Sequence, residues 1–276
     1  MRIKTLKSIF YYMIILIILG VTLFPLAWTI LSSFKDPIEV ISLQPSFIFK
    51  PTLDNYRSLF VLGKFTISKY FFNSVIISIV STIISVAIAC TAGYSLARIK
   101  PKGSNLIIIA ILAARMLPPI VIIFPLYLFF NYLGMLDTLL TLIIPYTALS
   151  VPLATWILWS FFKGLPKQLE EAAMIDGCSR FRAFWQIILP LVAPGVAATA
   201  VFSFILAWND FLLALPLTRI NAVTLPIFAS MVRTEEGVLW GRLGAIITII
   251  IVPVFLFTLF AQRYLISGLV SGSVKE

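Results

Sequence analysis

The sequence of 276 residues has no histidine, only two cysteines and few charged residues. Without histidine, every catalytic or metal-binding mechanism that needs an imidazole is excluded. Cys90 and Cys178 stand far apart and form no CxxC pair, so no redox motif or thiolate metal site is predicted. Charged residues make up 12% of the chain, against about 25% in soluble domains. This composition excludes a conventional soluble enzyme, and we expect neither a metal nor a cofactor.

Apolar residues make up 61% of the chain and are concentrated in long runs. A membrane-spanning helix needs about 20 mainly apolar residues. Windows of about this length are residues 9–31, 70–97, 106–130, 139–162, 184–208 and 243–261. Prolines in the last four windows predict bent helices. The sequence thus predicts an all-α membrane protein with six transmembrane helices, some of them kinked.

Basic residues are unevenly shared between the two sides of the predicted membrane. With six spans both termini lie on one side, and the segments on that side hold 12 lysines and arginines against 7 on the other. Short cytoplasmic segments carry the excess of basic residues in membrane proteins. We therefore expect both termini in the cytoplasm. The net charge of +10 is explained by this topology and does not indicate nucleic-acid binding.

A polar segment, residues 163–183, separates the fourth and fifth windows. Pro166 is suited to a first helical position, and the residues after it favour a helix. Gly177 is suited to a left-handed end of that helix, and Ser179 to the cap of the next one. The pattern predicts a short helix, a turn and a second helix, with Glu170 at the surface. The predicted apolar stripe consists of Leu169, Ala172, Ala173 and Met174 or Ile175.

This segment resembles the EAA motif in the permease subunits of binding-protein-dependent ABC importers. The matching residues are Glu171-Ala172-Ala173, then Gly177 after three residues, Ile187 after nine, and Leu189-Pro190 after one more. The residues that are similar to the carbohydrate-importer branch of that family are 175–178, 189–191 with 194–195, 207–211 and 262–275. The resemblance covers nearly the whole chain and points to the six-span permease of the maltose-importer type.

The resemblance implies a permease that translocates a sugar or oligosaccharide across a prokaryotic inner membrane. It implies three kinds of partner: an extracytoplasmic sugar-binding protein, a paralogous permease that completes a heterodimer, and two ATPase subunits at the cytoplasmic face. The residues implied in ATPase coupling are Glu171, Ala172, Ala173, Asp176 and Gly177. The sequence contains no G-x-x-x-x-G-K-[ST] loop, so we expect a transport subunit and not an enzyme.

The resemblance also implies a division of the chain. Residues 1–69 correspond to a first transmembrane helix and an outer loop, of which residues 37–69 are expected to be extended. Residues 70–276 correspond to the permease core, with the coupling helix at about 163–183 and a small cytoplasmic tail. Residues 233–237 resemble a family loop that reaches into the binding protein.

Four residues are candidates for the translocation path. Arg115 lies nine residues inside the third window, where burying its charge costs ~2.5–3.5 kcal/mol on insertion scales, so we expect it to face a cavity or a carboxylate. Trp208, Asn209 and Asp210 end the fifth window, and an aromatic face beside hydrogen-bonding groups suits a sugar. An interfacial anchor is the alternative for the tryptophan.

Two other functions remain open at the level of sequence: an ABC permease for a non-sugar solute, and a secondary transporter that works alone. No inverted repeat of two halves is visible, which disfavours the secondary transporter. A membrane-embedded hydrolase is disfavoured because the windows contain no carboxylate pair and the chain contains no histidine.

Cysteine accessibility tests the topology in a background in which Cys90 and Cys178 are replaced by serine. We expect Ser179→Cys to react with a membrane-impermeant thiol reagent only from the cytoplasmic side, and Thr234→Cys only from the outside, because a single span separates them. Labelling of both positions from the same side would contradict the six-span topology.

Overall fold

The computed structural model describes residues 2–42, 46–61, 67–234 and 237–273. Its regular structure is helical except for two short antiparallel strands, β1 (Arg233–Thr234) and β2 (Gly237–Val238). The helices are α1 (Arg2–Ser33), α2 (Pro37–Val40), α3 (Asp54–Val61), α4 (Ile67–Tyr94), α5 (Ser104–Arg115), α6 (Pro119–Tyr132), α7 (Leu139–Gly164), α8 (Gln168–Ile175), α9 (Arg180–Ala183), α10 (Leu189–Leu191), α11 (Ala193–Asn209), α12 (Ala214–Leu217), α13 (Leu225–Ser230) and α14 (Trp240–Ser273). A π-helical turn, Ser95–Ile99, follows α4, and a second, Phe184–Ile188, follows α9. The expected all-α fold is confirmed.

Four helices are long and apolar enough to cross a membrane by themselves, namely α1, α4, α7 and α14. The third and fifth predicted spans are instead pairs of helical segments that meet at a sharp angle. The bend is 86° between α5 and α6, and 75° between residues 180–191 and α11. Counting each bent pair as one span gives the six spans that the apolar windows predict, two of them sharply bent.

The break between α5 and α6 has a local cause in the sequence. Pro118 is extended, with φ −61° and ψ 129°, and Pro119 occupies the first turn of α6. A proline disfavours the helical conformation at the residue before it and fits best in the first turn of a helix. Two consecutive prolines therefore end one helix and begin another at this place.

Contacts at the two ends of the helices show how the chain alternates across the membrane between α4 and α11. At one end, the start of α4 and the turn before α7 both contact residues 219–222, which follow α12. At the opposite end, the end of α4 contacts α8, which lies between α7 and α11 in the sequence. The helix α4, the α5–α6 pair, α7 and α11 therefore cross in alternating directions, as the six-span topology requires.

Asp137 lies in the turn between α6 and α7 and accepts hydrogen bonds from four consecutive backbone N–H groups. The donors are those of Arg219, Ile220, Asn221 and Ala222, at N–O distances of 2.9 to 3.1 Å. Burial opposes ionisation of the Asp137 carboxyl, but these hydrogen bonds together hold its pKa below the usual value of 3.8. The charged carboxylate thus fixes a loop that is 82 to 85 residues away in sequence.

The core of this part of the chain lies where α4, α7 and the residues leading into α11 meet. Gly93 of α4 is so close to α7 that a Cβ atom there would lie 3.0 Å from the backbone nitrogen of Trp159. A small residue at such a contact lets two membrane helices approach closely. The buried cluster at this contact consists of Ala89, Cys90, Tyr94, Ala97, Ala154, Leu158, Phe162, Phe184, Ile188 and Val192.

The chain divides into two compact units by its internal contacts. One unit comprises Met1–Ser68 with Phe228–Val252, and the other Lys69–Ile227 with Pro253–Glu276. The division expected from the sequence places residues 228–252 with the permease core. In the structure these residues pack with the N-terminal part of the chain, which no pattern along the sequence indicates.

The expectation of an extended outer loop after α1 is wrong, because the chain forms α2 and α3 there. The buried side chain of Asn55 in α3 donates hydrogen bonds to the carbonyl oxygens of Ser33 (3.0 Å) and Lys35 (2.7 Å). The Lys35 ammonium group in turn donates to the carbonyl of Ser46 at 2.5 Å and lies 4.3 Å from the ring centre of Trp28. These contacts fold the segment back onto the end of α1.

Two expected features extend beyond the described residues. Glu235 and Glu236, in the segment that resembles the binding-protein loop, lie outside them, as do the last three residues, 274–276, of the tail. The tail before them is part of α14, which continues up to Ser273.

Hydrogen exchange tests the role of Asp137 in fixing the loop at residues 219–222. We expect Asp137→Ala to raise the exchange rates of these four amides about tenfold to a hundredfold, because a hydrogen bond to a charged group is worth about 1.5–3 kcal/mol. Asp54→Ala, at an exposed carboxylate in α3, is the control and leaves these rates unchanged. Equal rates in wild type and Asp137→Ala would contradict this role.

The same amides provide a test of the Asp137 ionisation. Its pKa is lower in the folded protein than in the unfolded chain, so its stabilising contribution is complete above pH 3.8 and declines as the pH falls below that value. We expect protection of residues 219–222 to be constant from neutral pH down to pH 3.8 and to fall at lower pH, with no such step in Asp137→Ala.

Candidate functional site

A cavity of about 360 Å³ opens at the break between α5 and α6. Residues from α5, α6, α7 and α11, together with Asp210, line this cavity. The polar side chains in the lining are those of Arg115, Tyr146, Ser150 and Asp210, and the other lining residues are alanine, leucine and proline. An apolar cavity with a few converging polar groups is the usual form of a small-molecule site.

Arg115 is the last residue of α5 and stands directly before the break. Its guanidinium group donates a hydrogen bond to the backbone carbonyl of Leu149 in α7, at 2.8 Å. Beside it, Pro152 has no N–H for the carbonyl of Ala148, so α7 lacks one internal hydrogen bond next to the cavity. The expectation that Arg115 faces a cavity agrees with this position. Among the described residues no carboxylate lies within ion-pair distance of it.

Asp210 follows the last residue of α11 and brings a carboxylate to the same cavity. Its Oδ1 atom accepts hydrogen bonds from the Tyr146 hydroxyl (2.9 Å) and from the backbone N–H groups of Leu213 (3.0 Å) and Ala214 (3.3 Å). The first bond links the end of α11 to α7, and the other two fix the turn before α12. Arg115 and Asp210 therefore place opposite charges on one cavity without forming an ion pair.

The structure does not bring the other two candidates to the cavity. Trp208 is 1% exposed, and its ring centre lies 6.1 Å from that of Phe71 and 5.4 Å from that of Phe204. This burial excludes the open aromatic face that a sugar needs and also the interfacial position of an anchor. Asn209 is exposed at the end of α11 and does not line the cavity.

The second candidate region is the segment from α8 to α9. It lies near the C-terminal end of α4, since Tyr94 contacts Glu170 of α8. The helix α8 ends in a Schellman motif around Gly177, whose φ is +86°. The Gly177 N–H donates to the carbonyl of Met174 at 3.1 Å, and the N–H of Cys178 donates to the carbonyl of Ala173 at 3.0 Å. The left-handed helix end predicted at this glycine is confirmed.

Of the two helix starts predicted in this segment, one agrees with expectation and the other does not. Ser179 caps α9 as predicted, because its hydroxyl accepts a hydrogen bond from the backbone N–H of Arg182 at 3.3 Å. The preceding helix begins at Gln168, two residues after Pro166, so the proline lies before the helix and not in its first turn.

The residues implied in ATPase coupling separate into exposed and buried ones. Those exposed are Glu171, Ala172, Asp176 and Gly177. Ile175 is 86% exposed and adds apolar area to this surface, which we call the α8 surface. Ala173 is only 3% exposed, so its small side chain fits α8 against the rest of this chain and not against a partner.

The expectation that Glu170 lies at the surface is wrong. Glu170 is 8% exposed, and its Oε1 atom accepts a hydrogen bond of 2.5 Å from the Tyr94 hydroxyl. Its Oε2 atom lies 3.8 Å from Nε of Arg98, in the π-helical turn that follows α4. The two opposite charges therefore lie close together in a largely buried position, although Nε of Arg98 makes no hydrogen bond within the described part of the chain. A contact between residues 76 positions apart is not visible in a helical pattern.

Comparison with known proteins identifies the family of this chain. The sequence model described as "Binding-protein-dependent transport system inner membrane component" matches residues 85–270. The probable ABC transporter permease protein y4oR of Sinorhizobium fredii (strain NBRC 101917 / NGR234) is 40% identical over 272 residues, which cover 99% of this chain and 97% of that protein. The trehalose/maltose transport system permease protein MalG of Thermococcus litoralis (strain ATCC 51850 / DSM 5473 / JCM 8560 / NS-C) is 38% identical over 278 residues, which cover 100% and 99%.

Among solved structures, a chain of a bacterial ABC transporter involved in the import of the acidic polysaccharide alginate has the same fold. The TM-score is 0.79 at 19% sequence identity, and the match covers 96% of this chain and 98% of that chain. The chain therefore belongs to the family of inner membrane components of binding-protein-dependent transport systems. It is a multi-pass membrane protein and an ABC importer permease.

Proposed function

We propose that the chain is the permease subunit of an ATP-driven importer that translocates a sugar or oligosaccharide. The observation that carries this proposal is the similarity to the trehalose/maltose permease of Thermococcus litoralis, which runs over essentially the full length of both chains. The family depends on a binding protein, so the secondary transporter that works alone is excluded. A non-sugar solute is the alternative that the uptake experiment below decides.

The cavity at the α5–α6 break supports a solute rich in hydroxyl groups. A guanidinium donates hydrogen bonds, a carboxylate accepts them and a tyrosine hydroxyl does both. Arg115, Asp210 and Tyr146 therefore offer the mixture of donors and acceptors that sugar hydroxyls need, and the alanine, leucine and proline side chains offer apolar contact to its CH groups. Because Trp208 is buried, hydrogen bonding and not ring stacking selects the solute at this place.

The proposed assembly contains a paralogous permease, two ATPase subunits at the cytoplasmic face and an extracytoplasmic binding protein. The excess of basic residues assigns the end of the bundle that carries α8 to the cytoplasm, together with both termini. The apolar window of α1 is 0% buried within this chain, so α1 offers a long face to lipid and to the second permease.

ATPase docking is assigned to the α8 surface. Glu171 and Asp176 offer charges to a partner, and Ile175 offers apolar area. The turn at Gly177 joins this surface directly to α9 and the residues leading into α11. A displacement of α8 by the ATPase therefore reaches the segment whose end carries Asp210.

Purification and uptake test the proposal with the chain co-expressed with the subunits encoded beside its gene. We expect an ATPase subunit and a second permease to co-purify. We also expect proteoliposomes of the complex to take up radiolabelled trehalose or maltose only with the binding protein on one side and ATP on the other. Purification without any ATPase subunit would reject the importer. Uptake of an amino acid or an ion, and of neither sugar, would reject the sugar assignment.

Substitution of Arg115 tests the role of the cavity. We expect Arg115→Leu to lower sugar uptake about tenfold or more, because it removes the charged donor from the cavity and with it a contact worth about 1.5–3 kcal/mol. Lys102→Leu is the control, since Lys102 is exposed in the connection before α5 and its substitution removes the same charge. If uptake by Arg115→Leu equals that of the control at matched membrane levels, Arg115 is not part of the path.

Substitution of Gly177 tests ATPase docking on the α8 surface. We expect Gly177→Val to remain inserted in the membrane but to lose most ATPase co-purification and uptake, because a side chain with a Cβ adopts φ +86° at a cost of ~1 kcal/mol or more. Gly177→Asn is expected to restore much of both, since asparagine tolerates this conformation. Gly164→Val is the control, at a glycine near the end of α7 with open space around it. Normal docking by Gly177→Val would show that the turn is not required.

A further inference from the structure

Tyr94, Arg98 and Glu170 form a buried polar cluster between α8 and the end of α4. The Tyr94 hydroxyl donates to Oε1 of Glu170 at 2.5 Å, and Nε of Arg98 lies 3.8 Å from Oε2 of the same carboxylate. A second guanidinium nitrogen of Arg98 lies 3.5 Å from the carbonyl oxygen of Pro166. We call these three side chains the Tyr94–Arg98–Glu170 cluster. None of them lines the solute cavity or belongs to the α8 surface.

The cluster connects the two helices through side chains that are largely buried, since those of Arg98 and Glu170 are 4% and 11% exposed, although both also line a small pocket with Lys167, Glu171 and Arg180. The Tyr94 hydroxyl donates to a charged acceptor, and hydrogen bonds of this class are stronger than those between neutral groups. Such bonds are stronger where the local dielectric is low. Removing one member of a buried charge pair also leaves the other charge unpaired, whereas an exposed carboxylate such as Glu171 is solvated by water.

Tyr94 is itself held by aromatic packing in the core. Its ring centre lies 5.7 Å from that of Phe162 in α7 and 4.7 Å from that of Phe184. The two π-helical turns, Ser95–Ile99 and Phe184–Ile188, adjoin this packing. Turns of this kind are rare in proteins, and those that occur are often found at functional sites. Through Glu170, α8 is therefore attached to a fixed point of the core and not to a mobile surface group.

The helix α4 extends from this cluster to the opposite end of the bundle. Its 28 residues span about 42 Å at 1.5 Å per residue. There, Lys69 donates a hydrogen bond of 3.3 Å to the carbonyl of Ile220, and Asn73 donates to the carbonyls of Asn221 (2.7 Å) and Val223 (2.9 Å). One helix thus connects α8 at one end with the loop after α12 at the other.

We infer that the Tyr94–Arg98–Glu170 cluster fixes α8 to α4, so that a displacement of α8 moves α4 and the loop at its far end. The inference rests on the proposed function, in which the ATPase docks on α8. The three residues are positioning residues, since they act on transport through the helices that they join. If their role were only to stabilise the fold, their loss would lower stability but leave the number of solute molecules imported per ATP unchanged.

The inference predicts a constant distance between α8 and the far end of α4 during the transport cycle. Spin labels at Gln168→Cys and Phe72→Cys, both exposed positions, report this distance in the assembled complex with Cys90 and Cys178 replaced by serine. We expect the same narrow distance distribution without nucleotide and with ATP plus vanadate. A change of about 5 Å, one helical turn, in this distance between the two states would overturn the inference, even with the Tyr94–Arg98–Glu170 cluster unmutated.

Two conservative substitutions test the cluster itself. Tyr94→Phe removes the hydroxyl and keeps the ring, and Glu170→Gln removes the charge and keeps the size. We expect each to broaden the distance distribution in the vanadate state and to lower the solute imported per ATP about fivefold or more, the range of ordinary coupling energies. Tyr132→Phe, which makes the same change at an 88% exposed tyrosine, is the control and is expected to alter neither quantity.

The possible results separate the inference from its alternatives. Wild-type distances and import ratios in both Tyr94→Phe and Glu170→Gln would show that it is wrong. Reduced assembly with an unchanged import ratio in the assembled fraction would also contradict it, because a purely structural role gives that result. Failure of the proposed function gives a different result: wild-type complexes would import no sugar, while the spin-label distances between α8 and α4 would still be constant.

Discussion

A backbone N–H or C=O group inside a lipid bilayer finds no water, so the protein must supply its hydrogen-bond partner. A continuous helix meets this demand within one segment, whereas each break leaves groups that need partners elsewhere. The break between α5 and α6 stands beside α7, to which Arg115 at the end of α5 is hydrogen-bonded. The chain itself covers this break only in part, since Met116 is 84% and Leu117 59% exposed, and the space beside the break is the cavity.

A charged group inside the bilayer also needs a partner from the protein, and burying it without one costs more free energy than burying an unpaired backbone group. The few charges that enter the bundle are each placed where a helix ends or is interrupted, since unpaired backbone dipoles and space are found there. Arg98 and Glu170 neutralise each other between two helices, and Asp137 takes up the N–H groups of a loop. Arg115 and Asp210 instead remain apart on one cavity, where each is hydrogen-bonded to another part of the chain.

Local patterns predicted local structure well. The apolar windows became helices because lipid permits no other regular segment, and Gly177 formed the turn because a residue without Cβ enters the left-handed region at low cost. The burial of Glu170 and Trp208 was not predictable, because it depends on partners far away in sequence. The charge of Arg115 inside an apolar window was visible from the sequence, but the cavity that it lines follows only from the 86° bend.

The carboxylate of Asp137 recognises the main chain of residues 219–222, and their side chains take no part in those bonds. Replacement of the exposed side chains of Arg219, Ile220 or Asn221 leaves the four donors in place, with proline as the exception because it has no N–H, whereas Ala222 is 0% exposed and constrained by packing. The exposed side chains of this loop can therefore vary without loss of the main-chain hydrogen bonds that define its shape. A change of surface chemistry at this end of the bundle then needs only point mutations and no new backbone conformation.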